Sequence, residues 1–392
     1  MTAETAPQLS DAGFGLYLHW PFCAAKCPYC DFNSHVVDAI DHARFLRAYL
    51  SELEWWADRT RDRILGSVFL GGGTPSLMRP EDVSAILTTI RRLWRVSNDL
   101  EVTLEANPTS AEAGRFRAFA EAGVTRMSVG LQALDDTDLR RLGRMHSADE
   151  GRAAFEMARD AVGRVSFDLI YGRQDQTEDE WRKELRHALG FAGSHLSLYQ
   201  LTIEDGTTFA ARHARGLLRG LPDEDRAVAL YEMTQDLCDA AGLPRYETSN
   251  HAASGEACRH NLIYWHGGDW LGIGPGAHGR VRFDGGRRPT VAARAPGAWL
   301  TAVESEGHGA DIGPAMAIPE VAEEYLMMAL RLTEGADLSR LAQFGWSVPD
   351  TERRMLVDLE LLIDDPRRLR TTERGALLLD AILGRLLAQP AG

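Results

Sequence analysis

Phe14-Gly15-Leu16-Tyr17-Leu18-His19-Trp20 is followed, after Pro21 and Phe22, by Cys23-Ala24-Ala25-Lys26-Cys27-Pro28-Tyr29-Cys30. The first seven residues read as a buried strand and the last eight as a loop at its carboxyl end. Working outward, residues 41–59 read as a helix. Residues 67–70 read as a second short strand ending in Gly71-Gly72-Gly73, and another helix opens near Pro80. Further short β-rich runs at 100–105, 126–131, 166–171 and 195–201 alternate with helical stretches such as 112–122 and 178–191. Strands alternating with helices of this length predict an α/β fold with a parallel sheet of βαβ units. Six such units are too few for a closed eight-stranded barrel and suit an open, partial (β/α)6 barrel. In that arrangement ligands sit at the carboxyl ends of the strands. The Cys23 loop, Gly71 to Thr74, Glu105-Ala106-Asn107, Gln132, Asp168 and Gln200 all fall at those ends and are expected to share one rim.

The pattern divides the chain into a core at 1–282, a loop-rich connector at 283–319 and a tail at 320–392. The connector is read from a lapse into Gly, Pro, Ala and Arg. In the tail, helical stretches at 321–332, 350–363 and 374–387 with an extended Leu369-Arg370-Thr371 predict a small, mostly helical, winged-helix-like domain. Across 392 residues, 43 Lys and Arg stand against 57 Asp and Glu, a net charge of −14, which argues against an electrostatic grip on nucleic acid. There is no apolar run of about 18 residues or more, so no transmembrane helix is expected. Residues 1–10 carry Glu4 and no basic residue, unlike a signal peptide, so the expectation is a cytoplasmic protein. Five cysteines, an odd number, argue against a disulfide framework.

The C-x3-C-x2-C run is the strongest chemical signal. Three thiolates on one short loop can each hold one iron of a 4Fe–4S cubane, leaving the fourth iron open to an outside chelator. A zinc site completed by His19 or His35 is the competing reading, although structural zinc usually uses paired C-x2-C units in a small stapled domain. Gly71-Gly72-Gly73-Thr74-Pro75 lets backbone approach a ligand closely and is not a P-loop, since no Lys follows the glycines. A formal G-x-G-x-x-G occurs at Gly274, Gly276 and Gly279, but Pro275 and the extended GRVRF that follows oppose a dinucleotide site. That loop is expected to be close-packed backbone beside a ligand pocket. Cys258-Arg259-His260-Asn261-Leu262-Ile263-Tyr264-Trp265 combines an imidazole, a good axial ligand for haem iron, with aromatics able to cover a porphyrin. On composition alone, a structural histidine in an aromatic core is the favoured reading of His260. Cys258 is an alternative haem ligand, His278 a second contact, and Cys238 a buried hydrophobe.

With Tyr29 before the last cysteine and GGGTP downstream, the chain resembles the radical S-adenosylmethionine (SAM) enzymes. In that family the open iron chelates the amino and carboxylate groups of SAM, and an electron from the cluster cleaves the sulfonium to a 5′-deoxyadenosyl radical. YLHWPFC, GGGTPS, LEANP, SVGLQ, LGRMHS and FDLIYG resemble motifs of the branch that holds oxygen-independent coproporphyrinogen oxidases and the HemW haem chaperones. The resemblance implies that Cys23, Cys27 and Cys30 bind the cluster. It implies SAM contacts at Tyr17, Gly72, Gly73, Thr74, Glu105, Gln132, Arg144 and Asp168, and a haem contact at His260. The oxidase pattern extends to C-x3-C-x2-C-x-C after a longer N-terminal segment. Here position 32 is Phe, only 22 residues precede Cys23, and CDFNSH resembles the chaperone form. The implied function is a haem chaperone with a 4Fe–4S cluster and SAM as cofactors and haem as cargo. Its implied partners are an acceptor haemoprotein, respiratory ones among the candidates, and an electron donor, with no nucleic acid. The alternative is a coproporphyrinogen III dehydrogenase working by radical oxidative decarboxylation.

Overall fold

Six strands lie side by side in chain order and pair in parallel: β1 (Phe14–Trp20), β2 (Ile64–Gly72), β3 (Arg95–Ala106), β4 (Arg126–Gln132), β5 (Arg164–Tyr171) and β6 (His195–Gln200). This computed structural model describes residues 12–388, so the reading of residues 1–10 lies outside it. Beyond β6, β7 (Asn250–Ala252) pairs antiparallel at one edge. On the other side β8 (Asp269–Ile273) returns to pair in parallel with β1, a seventh parallel strand absent from the sequence-based expectation. The sheet then continues antiparallel through β9 (His278–Phe283), β10 (Gly286–Ala292) and β11 (Ala310–Ile312). β11 and β7 are its two ends, so the barrel is open, as expected.

Residues 283–319 are therefore not the loop-rich connector that their composition suggested. They hold β10, β11 and the helix Pro296–Glu306, whose Trp299, Leu300 and Val303 are buried in the main core. The misleading residues are punctuation within ordered structure. Asp284 and Gly285 turn β9 into β10 with positive φ, Pro296 starts the helix, and Gly307 ends it in the left-handed region. The expected helix at 112–122 is two pieces, Ser110–Ala113 and Phe116–Ala122, and the one at 350–363 stops at Asp358. In the tail, Ala336–Asp337, Arg368–Thr371 and Leu362–Ile363 form a small antiparallel sheet. The helices around it enclose a second buried cluster that includes Leu326, Leu341, Trp346 and Leu356. Arg280 and Arg287 of the main sheet both pair with Glu324 and tie this unit down.

Strands β1 to β6 alternate along their central residues, with register irregularities between Leu65 and Ser67 and between Val129 and Gln132. Leu16, Leu18, Val68, Leu70, Val102, Leu104, Met127, Val129, Val165, Phe167, Leu196 and Leu198 are all buried on the outer face against helices. Each such side chain contributes roughly 1.5–3 kcal/mol. The intervening residues Ser67, Thr103, Glu105, Ser128, Ser166, Asp168 and Ser197 point into the barrel and are polar. The first helix, His42–Thr60, is capped by the Asp41 carboxylate and packs Phe45, Tyr49, Leu53 and Trp56 against this sheet.

The same helix carries Glu52, which is fully buried and accepts three hydrogen bonds. The donors are the Gly274 N–H at 2.9 Å, the Gly309 N–H at 2.7 Å and Trp299 Nε1 at 3.1 Å. Burial nevertheless pushes its carboxyl up to about 7. Glu52→Gln should destabilise the protein by about 1–3 kcal/mol at neutral pH, because an amide NH2 then faces a buried backbone donor. A native pKa above the unfolded value also means that wild-type stability falls as pH rises from about 4.5 towards 7. That part of the slope should vanish in Glu52→Gln. Urea unfolding of both proteins at pH 5 and 7.5 checks both expectations.

Candidate functional site

The cysteine loop is closed at its neck by two backbone hydrogen bonds, His35 N–H to Pro21 O at 2.7 Å and Cys23 N–H to His35 O at 3.0 Å. Cys30 N–H to Cys27 O folds the loop on itself, and Phe209 N–H to Pro28 O holds its outer side. The end of β2 passes directly beneath. Gly72 has φ +111°, and a Cβ there would lie 2.6 Å from the His19 ring; one on Gly73 would lie 2.7 Å from Phe22 O. Only glycine allows this approach. Gly73 N–H and Thr74 N–H then donate to Trp20 O and Phe22 O.

These elements border a cavity of about 350 Å³ at the carboxyl ends of the strands. Cys23, Cys27 and Cys30 line it together with Gly72, Gly73, Thr74, Glu105, Gln132, Arg144 and Asp168, so ten of the twelve sequence-derived residues meet there. Thr74 Oγ1 donates to Cys23 Sγ at 3.3 Å, and Arg144 donates to Cys27 Sγ at 3.4 Å, to Asn107 Oδ1 at 2.7 Å and to Gly130 O at 2.9 Å. Arg144 Nε is buried with no hydrogen-bond partner. Burial raises the Cys23 thiol and pushes that of Cys30 up to about 11, so binding of a metal must displace protons. Glu105 is pushed up to about 8, first by burial and then by the nearby Asp168, despite accepting from the Gly72 N–H. Asp168 is pushed up to about 6 by burial, opposed by hydrogen bonds from Ser197 and Ser128.

Two expected residues are elsewhere. Tyr17 is not on the cavity wall: its hydroxyl meets His19 Nδ1 at 3.0 Å and its ring stacks on Phe69. His19 Nε2 faces the Asn33 carbonyl, which can only accept, so Nε2 carries the proton and Nδ1 accepts from Tyr17. Both nitrogens of His19 are thus occupied, which removes it from the zinc reading. His260 is 1% exposed, with Nδ1 2.8 Å from Ser67 Oγ and Nε2 on the Tyr264 hydroxyl. Burial pushes its pKa down to about 3, and Phe69 stacks on its ring. It sits level with Gly15 and Ser67 at the amino ends of β1 and β2, five residues or about 16 Å along the strand from Gly72. The imidazole is a satisfied core residue, and no nitrogen is offered to haem iron. Cys258 is equally buried, with Sγ 3.6 Å from Glu101 Oε1, and Cys238 is buried as expected. His278 is exposed on β9, away from the cavity lining.

Ser128 and Tyr199 also line the cavity without having been expected there, and so does Tyr29, expected only as the aromatic of the cysteine motif. Ser128 was detectable as a polar residue inside the apolar run Met127 to Val129, and Tyr199 by its place one residue before the end of β6.

Residues 17–188 match the radical SAM superfamily, and residues 319–378 match the HemN C-terminal domain. A protein of Escherichia coli named heme chaperone HemW is 36% identical over 381 residues, covering 95% of this chain and 98% of its own. The chain belongs to the HemW family of radical SAM proteins. A bovine relative, named radical S-adenosyl methionine domain-containing protein 1, mitochondrial, is 39% identical over 386 residues, 95% of this chain and 87% of that protein. The solved coproporphyrinogen III oxidase HemN of Escherichia coli superposes with a TM-score of 0.81 at 20% identity, over 98% of this chain and 92% of that one. At that identity the likeness shows the shared fold.

Membership in the HemW family brings a 4Fe–4S cluster and SAM, and the cavity fits both. The three thiols can take three irons. The unpartnered Arg144 Nε can face a carboxylate, and Glu105 is a raised carboxyl with only the Gly72 N–H opposing its rise, while Arg126 and Arg144 oppose that of Asp168. When bound, the cluster and SAM supply one-electron reductive cleavage of a sulfonium; the chain's residues position and neutralise. The sulfonium is cationic at every pH, so it favours the ionised carboxyls. SAM affinity of the cluster-loaded protein should therefore rise about tenfold between pH 6 and 8. Glu105→Gln should flatten that profile in equilibrium dialysis, and an unchanged slope would assign it to another group.

Proposed function

We propose that this HemW-family chain binds haem and, with a 4Fe–4S cluster and SAM at the carboxyl-end cavity, supports haem delivery to acceptor haemoproteins. The observation that carries the reading is the close of the cysteine loop. Position 32 is where the oxidase-like pattern places a fourth cysteine; here it is Phe32, its side chain at the cavity lip and 55% exposed. The 36% identity to the Escherichia coli chaperone over nearly its whole length supports the same reading. In this proposal an electron donor serves the cluster, the acceptor haemoprotein is the second partner, and the setting is the cytoplasm. Among the described residues no helix is long and apolar enough to cross a membrane.

The test is an optical haem titration of the anaerobically reconstituted protein, beside an assay with coproporphyrinogen III. Saturable binding near one haem per chain, transfer to an apo-haemoprotein and no formation of protoporphyrinogen IX are expected. Sustained conversion of coproporphyrinogen III would replace the chaperone reading with the dehydrogenase. His260→Ala leaves the Ser67 and Tyr264 hydroxyls without their buried partner, so it should lower stability by roughly 1–3 kcal/mol. Its folded fraction should still take up haem with wild-type stoichiometry. A normally stable variant that has lost haem would restore His260 as the ligand.

A further inference from the structure

The G-x-G-x-x-G run at Gly274 to Gly279 has no cofactor role in the function above, and its place in the fold gives it another. Gly274 has φ +100° and Gly276 φ +76°, so the turn that follows β8 is built on backbone that side chains disfavour. A Cβ on Gly274 would lie 2.5 Å from His19 O, and one on Gly276 would lie 2.4 Å from Asn33 Nδ2. The turn is a receptacle shaped around the cysteine loop, and what it receives is the Asn33 side chain. Asn33 Nδ2 donates to Pro275 O at 3.0 Å and to Arg294 O at 2.9 Å. Two carbonyl partners fix the amide orientation, so Oδ1 is the acceptor for His35 Nε2 at 3.3 Å. The Asn33 carbonyl accepts from His19 Nε2. Asn33 thus holds four partners, two of them on segments beyond residue 270, while standing three residues after Cys30.

We propose that Asn33 is a positioning residue for the iron–sulfur site. Seated in the Gly274-Pro275-Gly276 turn, it staples the Cys30 end of the loop to the segments that follow β8 and β10. It thereby sets the third thiol relative to the other two and keeps Phe32 at the cavity lip. Without it, the neck hydrogen bonds of His35 hold the loop's base, but among the described residues no other hydrogen bond ties residues 31–34 to the 274–294 side. This inference rests on the cluster assignment and extends it to a residue that touches neither iron nor SAM. Outer partners that orient ligands typically matter by 10–100-fold in metal affinity.

Asn33→Asp is nearly isosteric but replaces both donors with a carboxylate facing two carbonyls. Gly276→Ala disturbs the same contact from the opposite side. Arg294→Ala is the control, because only its backbone carbonyl takes part. Each reconstituted full-length protein is assayed for iron retained after incubation with a chelator, for the electron paramagnetic resonance of the reduced cluster with and without SAM, and for SAM affinity. Asn33→Asp and Gly276→Ala should lose iron about tenfold faster or more. They should also give altered resonances that SAM shifts less than in wild type, while Arg294→Ala matches wild type. Far-UV circular dichroism confirms folding, and Asn33→Ala takes the place of Asn33→Asp if the carboxylate prevents it. Wild-type iron retention, resonance and SAM affinity in both loop variants would overturn the positioning role. A wild-type protein that takes up no iron would instead overturn the cluster assignment beneath it.

Discussion

The interior of the barrel is polar, and the molecule is arranged around keeping it partnered. Parallel strands covered by helices are usually apolar on both faces; here the inner face is mostly polar, with Phe69 stacked between Tyr17 and His260 as an exception. Inside, Arg126 donates to Ser166, Ser166 to Ser128 and Ser128 to Asp168, while Arg164 and the Arg259 N–H hold Glu101. Buried polar groups are tolerable when each has a partner and costly when one lacks it. Towards the carboxyl ends of the strands, Arg144 is the guanidinium on the cavity wall, and it is engaged by Cys27, Asn107 and Gly130. Glu105 and Asp168 meet there across a cavity whose wall holds Arg144 and the three thiols. The ligand site is the place where this inner polarity reaches solvent without being fully neutralised.

Much of this was legible in the sequence because it follows from local pattern. The alternation of strand and helix, the glycines under the loop and the cysteine spacing each reflect a nearby steric or chemical demand. They placed six parallel strands and ten residues of one cavity. What escaped was non-local. β8 pairs with β1 across some 250 residues of chain, and nothing in Asp269-Trp270-Leu271-Gly272-Ile273 announces which strand it joins. Residues 283–319 looked like a connector because Pro and Gly there mark the ends of short elements, and short elements dilute periodicity. Tyr17 and His19 alternate on β1 as site residues would, yet they hydrogen-bond to one another instead of facing the cavity.

The H-N-x-x-Y-W helix, Arg259–Trp265, closes the opposite end. Its backbone N–H groups donate to Glu101, its His260 pairs with Ser67, and its Tyr264 packs on Trp270. A motif read for ligand chemistry is therefore, in this conformation, the floor of the polar interior. The two readings make opposite demands on an imidazole. A metal ligand needs a free lone pair, whereas His260 has both nitrogens spoken for.

The Asn33 contacts span 242 and 261 residues of sequence. During synthesis at roughly 5–20 residues per second, the cysteine loop leaves the ribosome some 10–50 s before the turn and segment that receive Asn33 exist. For that interval the three thiols belong to a loop with no seat, at the age when a nascent chain is most exposed to oxidation and to stray metal. The seat of an early loop is thus supplied by segments that follow it by more than 240 residues.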